Sequence, residues 1–253
     1  MQGTESEALT RVALRLADAA GVTVLTGAGV SAASGVPTFR GPGGLWRQHR
    51  PESLATADAF ARDPRLVWEW YDWRRQTIAG CEPNAAHQVI AAWGRRLRGF
   101  QLVTQNVDGL HERAGSAGVI RLHGSIWHLR CWNACGGSGE WRDQRVPLPA
   151  LPPSCPACGG LARPAVVWFG EPLDPRAWTA ADAAVRCAVF LAVGTSAVVQ
   201  PAASLVARAR DAGAFVVEVN PEATPASGEA AVTLRGSAHE VLPQLDALIH
   251  TGS

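Results

Sequence analysis

Val22-Thr23-Val24-Leu25-Thr26-Gly27-Ala28-Gly29-Val30-Ser31-Ala32 decides the fold of this 253-residue chain. Its first half is a short, apolar, β-branched run, which reads as a buried parallel strand over 22–25. The Gly-Ala-Gly that follows is the usual turn for bringing backbone N–H groups up to a pyrophosphate at the end of such a strand. Four further runs of the same kind lie at 100–103, 119–122, 189–193 and 215–219, and 231–234 adds a short candidate edge strand. Helical stretches such as 85–97 and 201–212 separate several of them, the alternation of a doubly wound, Rossmann-like parallel α/β sheet.

Two segments interrupt that rhythm. The first, about 36–82, opens on the loop Arg40-Gly41-Pro42-Gly43-Gly44-Leu45-Trp46 and continues into a helix that Asp63 should cap, with Pro64 at its first position. The second, about 129–162, is rich in Gly and Pro and carries four cysteines. The expected division is a nucleotide-binding domain made of 1–35, 83–128 and 163–253, a loop-and-helix module at 36–82 and a small metal module at 129–162. Neither insertion could bury a large core by itself, which leaves a metal to take that place in the second.

Three residues separate Cys131 from Cys135, two separate Cys155 from Cys158, and nineteen lie between the pairs. That spacing suits a tetrahedral thiolate site on a zinc ribbon, with Gly136-Gly137 and Gly159-Gly160 as turn residues around the ion. Four protein ligands leave no position for water, so the zinc is expected to be structural and the chemistry to lie elsewhere. Cys81 and Cys187 have no catalytic context and read as structural thiols.

Composition narrows the class further. With 47% hydrophobic and 18% charged residues the chain can bury a full-sized core, and its net charge of +1 offers no broad footprint for nucleic acid. No apolar run reaches 18 residues, and the first twenty alternate charge with Ala and Leu like an amphipathic helix without a signal-peptide core. A cytoplasmic protein without membrane partners is expected. All 23 basic side chains are arginine, so the chain has no lysine of its own to be acylated.

A hydride-transfer enzyme would continue from the glycine turn into a long helix and then a strand ending in Asp or Glu. Here Ser34-Gly35-Val36-Pro37-Thr38-Phe39-Arg40-Gly41 follows instead, a loop able to close over a ligand, which leaves a dehydrogenase as the minor alternative. That string, with Thr104-Gln105-Asn106-Val107-Asp108-Gly109-Leu110-His111, His123-Gly124, the four cysteines, Val166-Val167-Trp168-Phe169-Gly170-Glu171 and Gly194-Thr195-Ser196, resembles the sirtuin signature in order over about residues 10 to 245. The chain departs from it at the first cysteine pair, which is usually Cys-x-x-Cys.

The resemblance implies an NAD-dependent protein-lysine deacylase that consumes NAD as a co-substrate. The acyl-lysine oxygen attacks the nicotinamide ribose, nicotinamide leaves, and the acyl group ends on ADP-ribose. His123, just after the third strand, is then the base for a ribose hydroxyl, with His111 and His128 as competitors. Asn106 and Asp108 complete the catalytic set by orienting nicotinamide and water. The implied cofactor contacts are Gly27, Ala28, Gly29, Ser31, Phe39, Arg40, Trp46, Gln105, Asn106, Val107, Asp108, Gly194, Thr195, Ser196, Asn220, Pro221, Glu222 and Ala238. Val166, Val167, Phe169 and Gly170 would meet an extended acyl-lysine peptide by main-chain pairing, with Phe169 lining the lysine channel.

Tyr71, the chain's single tyrosine, stands three residues before Arg74 on one helix face. In sirtuins that prefer acidic acyl groups a Tyr-x-x-Arg pair binds the distal carboxylate, and Ala55 matches the small residue that widens the pocket. Succinyl- or malonyl-lysine is the expected substrate, with acetyl-lysine turned over more weakly. The alternatives are a plain deacetylase, ADP-ribosyl transfer to protein, and a non-catalytic NAD-binding zinc protein.

Overall fold

The computed structural model describes residues 2–38, 51–137 and 139–251. Nine strands and nine α-helices are assigned among the described residues. Six strands form one parallel sheet: β1 (Val22–Thr26), β2 (Gln101–Thr104), β3 (Ile120–Arg121), β7 (Val189–Val193), β8 (Phe215–Val219) and β9 (Val232–Leu234), in the order β3-β2-β1-β7-β8-β9. Every strand expected of the sheet is present, two of them end to end, and the expected edge strand pairs parallel with β8.

Side chains alternate across this sheet and bury both faces. Val22, Val24, Leu102, Leu191, Val193, Val217 and Val219 pack beneath α1 (Gln2–Ala17), α5 (Ala85–Arg96) and α9 (Ala238–Thr251). Leu25, Val103, Phe190, Ala192 and Val216 face α7 (Pro175–Ala184) and α8 (Ser204–Asp211). The chain winds outward from β1 to β3, then returns to β7 beside β1 and winds the other way, so the direction reverses between β1 and β7. At that reversal the loops after the two strands part and leave a crevice at the carboxyl edge.

The remaining strands, β4 (Gly124–Cys131), β5 (Glu140–Arg142) and β6 (Ala162–Val166), make a small antiparallel sheet in the order β5-β4-β6. β3 ends after two residues because the chain turns sharply into β4 at Gly124. This residue has φ +77°, and a Cβ there would lie 2.1 Å from the Ala165 carbonyl oxygen. His123 is thereby held at the corner between the two sheets.

The helical segment includes α2 (Pro51–Leu54), α3 (Ala57–Arg62) and α4 (Pro64–Ala79), the last with Asp63 as its cap, accepting from the Leu66 amide at 2.9 Å, and Pro64 in its first turn. Phe60, Val67, Trp68 and Tyr71 of this segment share one core with Ile126, Leu129, Ala162 and Trp168 of the small sheet and the turn after it. The two insertions stabilise each other. The second insertion joins this shared core through Leu129, Leu148 and Ala162, beside its four-cysteine cluster. α6 (Leu110–Arg113) is a single turn after β2.

Candidate active site

The crevice is a cavity of about 780 Å³, near the top of the range for small-molecule sites. Its walls include Gly27, Ala28 and Gly29 after β1, Gln105, Asn106 and Val107 after β2, and His123 after β3. Gly194, Thr195 and Ser196 after β7, Asn220, Pro221 and Glu222 after β8, and Ala238 at the start of α9 continue it. Ala55, Tyr71, Arg74, Val166, Val167, Phe169 and Gly170 close the far side. Three expected residues, Phe39, Arg40 and Trp46, lie outside the described residues.

Two other expected residues are not at the cavity surface. Ser31 and Asp108 are 0% and 4% exposed and sit beneath its floor in a hydrogen-bonded chain. The Asn84 backbone N–H donates to His87 Nδ1, so His87 Nε2 carries the proton and donates to Ser31 Oγ. Ser31 then donates to Asp108 Oδ2 at 2.8 Å, and Asp108 Oδ1 accepts from the Leu110 amide. Burial pushes the Asp108 carboxyl up, and the bonds from Leu110 and Ser31 work against that. Asn106 rests on this base, its Nδ2 donating to the Gly27 carbonyl at 3.1 Å and to Ser31 Oγ at 3.2 Å. The amide nitrogen is thus fixed below and its Oδ1 is turned away from those partners.

The glycines serve a close crossing of two loops. The Gly27 amide donates to the Val193 carbonyl at 3.1 Å and the Gly29 amide to the Gly194 carbonyl at 2.8 Å. A Cβ on Gly29 would lie 2.7 Å from that same carbonyl oxygen, and one on Gly194, at φ +58°, would lie 2.5 Å from the Val30 nitrogen. These two amides are thus engaged by the end of β7 and the residue after it, while Gly27, Ala28 and Gly29 still line the cavity. Gln105 Nε2 and Asn220 Nδ2 reinforce the crossing from either side, donating to Thr195 Oγ1 at 2.9 Å and to the Thr195 carbonyl at 2.8 Å.

His123 Nδ1 lies 3.0 Å from the Gln105 carbonyl oxygen. A carbonyl only accepts, so Nδ1 carries the proton and Nε2 keeps its lone pair. Burial lowers the His123 pKa, offset in part by the Gln105 bond, which leaves a neutral imidazole at pH 7. The competitors are placed elsewhere. His111 is buried beneath the floor, 3.0 Å from Thr26 Oγ1, and His128 lies on β4, paired with Arg142 of β5, away from the cavity walls.

On the far side, Arg74 is 7% exposed, its guanidinium 4.9 Å from the Trp70 ring centroid and 5.8 Å from that of Tyr71. Burial lowers its pKa while Tyr71 and Asp108 oppose the shift, and a guanidinium keeps its charge even so. Trp70 and Trp168 also line this region and were not anticipated. Trp70 was legible in principle, since it lies four residues before Arg74 and so on the same helix face. Trp168 stands inside the string Val166–Glu171, whose expected peptide contacts passed over it.

The four expected cysteines come together, with all four Sγ atoms within 4.8 Å of one another. Cys131 and Cys158 are 3.7 Å apart and Cys135 and Cys155 3.8 Å. A tetrahedron with metal–sulfur bonds of about 2.3 Å has edges of about 3.8 Å, so the thiols fit structural zinc, and the extra residue between Cys131 and Cys135 is absorbed by the turn.

A parallel sheet that reverses direction at a ligand-sized cavity, with a thiolate cluster on an inserted sheet, defines a nucleotide-binding α/β protein carrying a metal knuckle. The model of the Sir2 family matches residues 27–201, and the chain belongs to that family. It is 55% identical over 205 residues to an NAD-dependent protein deacylase of Aquifex aeolicus, covering 81% of this chain and 84% of that one. It is 53% identical to NAD-dependent protein deacylase 2 of Pyrobaculum aerophilum, covering 92% and 93%. A solved Sir2 homologue bound to ADP-ribose superposes with a TM-score of 0.91 at 45% identity, over 96% of each chain. Another, bound to a myristoylated histone peptide, gives 0.78 at 32%, over 97% of this chain and 98% of that one. Among the described residues no helix is long and apolar enough to cross a membrane.

Proposed function

We propose that the protein is an NAD-dependent protein-lysine deacylase that prefers succinyl and malonyl groups and removes acetyl more weakly, releasing nicotinamide and O-acyl-ADP-ribose. One observation carries this reading: a single cavity is lined by His123 and the nucleotide-side loops on one flank and by Ala55, Tyr71 and Arg74 on the other. Bound NAD supplies the electrophilic ribose carbon and the hydroxyl that takes over the acyl group.

The chain's own residues do the rest. His123 Nε2 accepts the proton of the ribose hydroxyl, since Nδ1 is committed to Gln105 and burial keeps the ring neutral. Asn106, anchored through its amide nitrogen, offers Oδ1 to nicotinamide or water, while Ser31 and Asp108 act from below by holding it. Asn220 is anchored likewise and offers Oδ1 to the adenosine ribose, beside Ser196, Glu222 and Ala238. Half-exposed Phe169, with Gly170, Val166 and Val167, forms the peptide-side wall.

The acyl preference follows from charge. A distal carboxylate reaching Arg74 forms a charge-assisted, two-pronged contact of roughly 1.5–3 kcal/mol, or about ten- to hundredfold in kcat/KM, that a methyl group does not replace. Nicotinamide release is to be measured on succinyl-, malonyl-, glutaryl- and acetyl-lysine forms of one peptide with wild type and Arg74→Met. Acidic acyl groups are expected to lead by that margin in wild type, with the lead collapsing in the variant. An unchanged ratio in Arg74→Met would contradict the carboxylate clamp.

A further inference from the structure

We infer that Trp168 is a positioning residue for acyl-group selectivity, its indole N–H fixing the Tyr71 hydroxyl as the donor offered to an acyl carboxylate. The inference rests on the acidic-acyl reading above and concerns how that site is set. Trp168 Nε1 lies 2.9 Å from the Tyr71 oxygen, across 97 residues of chain. An indole nitrogen only donates, so the phenol oxygen accepts, and the phenol proton is left to donate in turn. Accepting one bond strengthens the next one given, because the two dipoles polarise each other in a dry site. Both residues are 2% exposed and both line the cavity next to Arg74.

The indole is itself clamped, as a positioning group requires. The Trp168 amide donates to Glu171 Oε2 at 2.9 Å, and Glu171 pairs through both oxygens with Arg163, at 2.5 and 2.9 Å. The Arg163 guanidinium lies 3.4 Å from the Trp168 ring centroid, and its Nη2 also donates to the Val166 carbonyl. Phe60 packs on the same indole at 5.4 Å between ring centroids and Trp132 at 6.4 Å. Ring, backbone and ion pair together leave the indole nitrogen one direction, toward Tyr71. Arg163 belongs to the clamp and lies off the cavity wall, whereas Glu171 belongs to the clamp and also lines the cavity.

A double-mutant cycle on acyl selectivity tests the assignment. Trp168→Phe keeps a ring for Phe60 and Arg163 and deletes the N–H. Its succinyl-to-acetyl ratio of kcat/KM is expected to fall about three- to tenfold, through a raised KM for the succinylated peptide. In a Tyr71→Phe background the same change is expected to do nothing further, because the hydroxyl it acts on is gone. Glu171→Gln loosens the clamp without removing the indole and also takes a negative charge off the cavity wall, which by itself would favour the acidic acyl group. A fall in the ratio therefore still reports the lost clamp, and this variant serves if Trp168→Phe does not fold. If Tyr71→Phe lowers the ratio while Trp168→Phe and Glu171→Gln leave it at the wild-type value, Trp168 does not position the hydroxyl. An additive loss in the double variant also overturns it. If Tyr71→Phe itself leaves the ratio unchanged, the acidic-acyl reading fails first.

Discussion

The imidazole of His123 is oriented by the uncharged carbonyl of Gln105. A carboxylate in that place would hold a proton on the ring, whereas a carbonyl fixes the tautomer and lets burial keep the ring neutral. Two more buried histidines obey the same logic beneath the floor. Burial, with the nearby His111 ring adding to it, lowers His87 to about 3, and burial lowers His111 to about 4. Below about pH 6.5 the unfolded chain takes up protons that these native rings refuse, so stability is full above that pH and is lost as pH falls toward 4. The slope approaches about 1.4 kcal/mol per pH unit for each histidine. Urea midpoints at pH 7.5 and 5 should show the fall, and His111→Gln, already less stable at pH 7.5 without its Thr26 bond, should show a flatter dependence. The same slope in that variant would contradict this account. His123 was legible from its place after a strand and its motif, but His87 was not, because a histidine on a helix carries no mark of what lies under it.

At the scale of elements, the parallel strands were readable because burial on both faces makes each an unbroken apolar run, as in Val189–Val193 and Phe215–Val219. The small sheet was hidden. Gly124–Cys131 mixes Ser, Trp, His and Arg with apolar residues, and Ala162–Val166 contains Pro164, so neither shows a strand period. The cysteine spacing was plain, but not that Trp132, next to Cys131, would pack on Phe60 at 4.9 Å and near Trp168. This contact joins the metal knuckle to the side of the cavity that Trp168 lines. Stripping zinc with a chelator should therefore alter the near-ultraviolet circular dichroism of these aromatics and lower acyl-peptide turnover, while the far-ultraviolet signal of the main sheet persists. An unchanged near-ultraviolet spectrum in protein shown by metal analysis to be zinc-free would contradict the coupling.

Across the whole molecule, function gathers where the sheet reverses. β1 and β7 are neighbours there although some 160 residues separate them, and Gly29 and Gly194 are pressed together so that the loops above them diverge around one cavity. The strand and loop pattern made that place legible, and with it the loop residues after β1, β2, β7 and β8 that line the cavity. The opposing flank depended on two insertions sharing a core, which contacts such as Trp168 to Tyr71 create only in three dimensions. If the His123 ring serves this cavity as base, replacing it removes the chemistry and spares the binding of NAD. The most direct measurement is nicotinamide release by His123→Tyr with NAD and acyl-peptide, alongside NAD binding by calorimetry. Peptide-dependent release is expected in wild type, with its loss by at least about a hundredfold in the variant and NAD binding that remains measurable. Release at the wild-type rate from His123→Tyr would contradict that role.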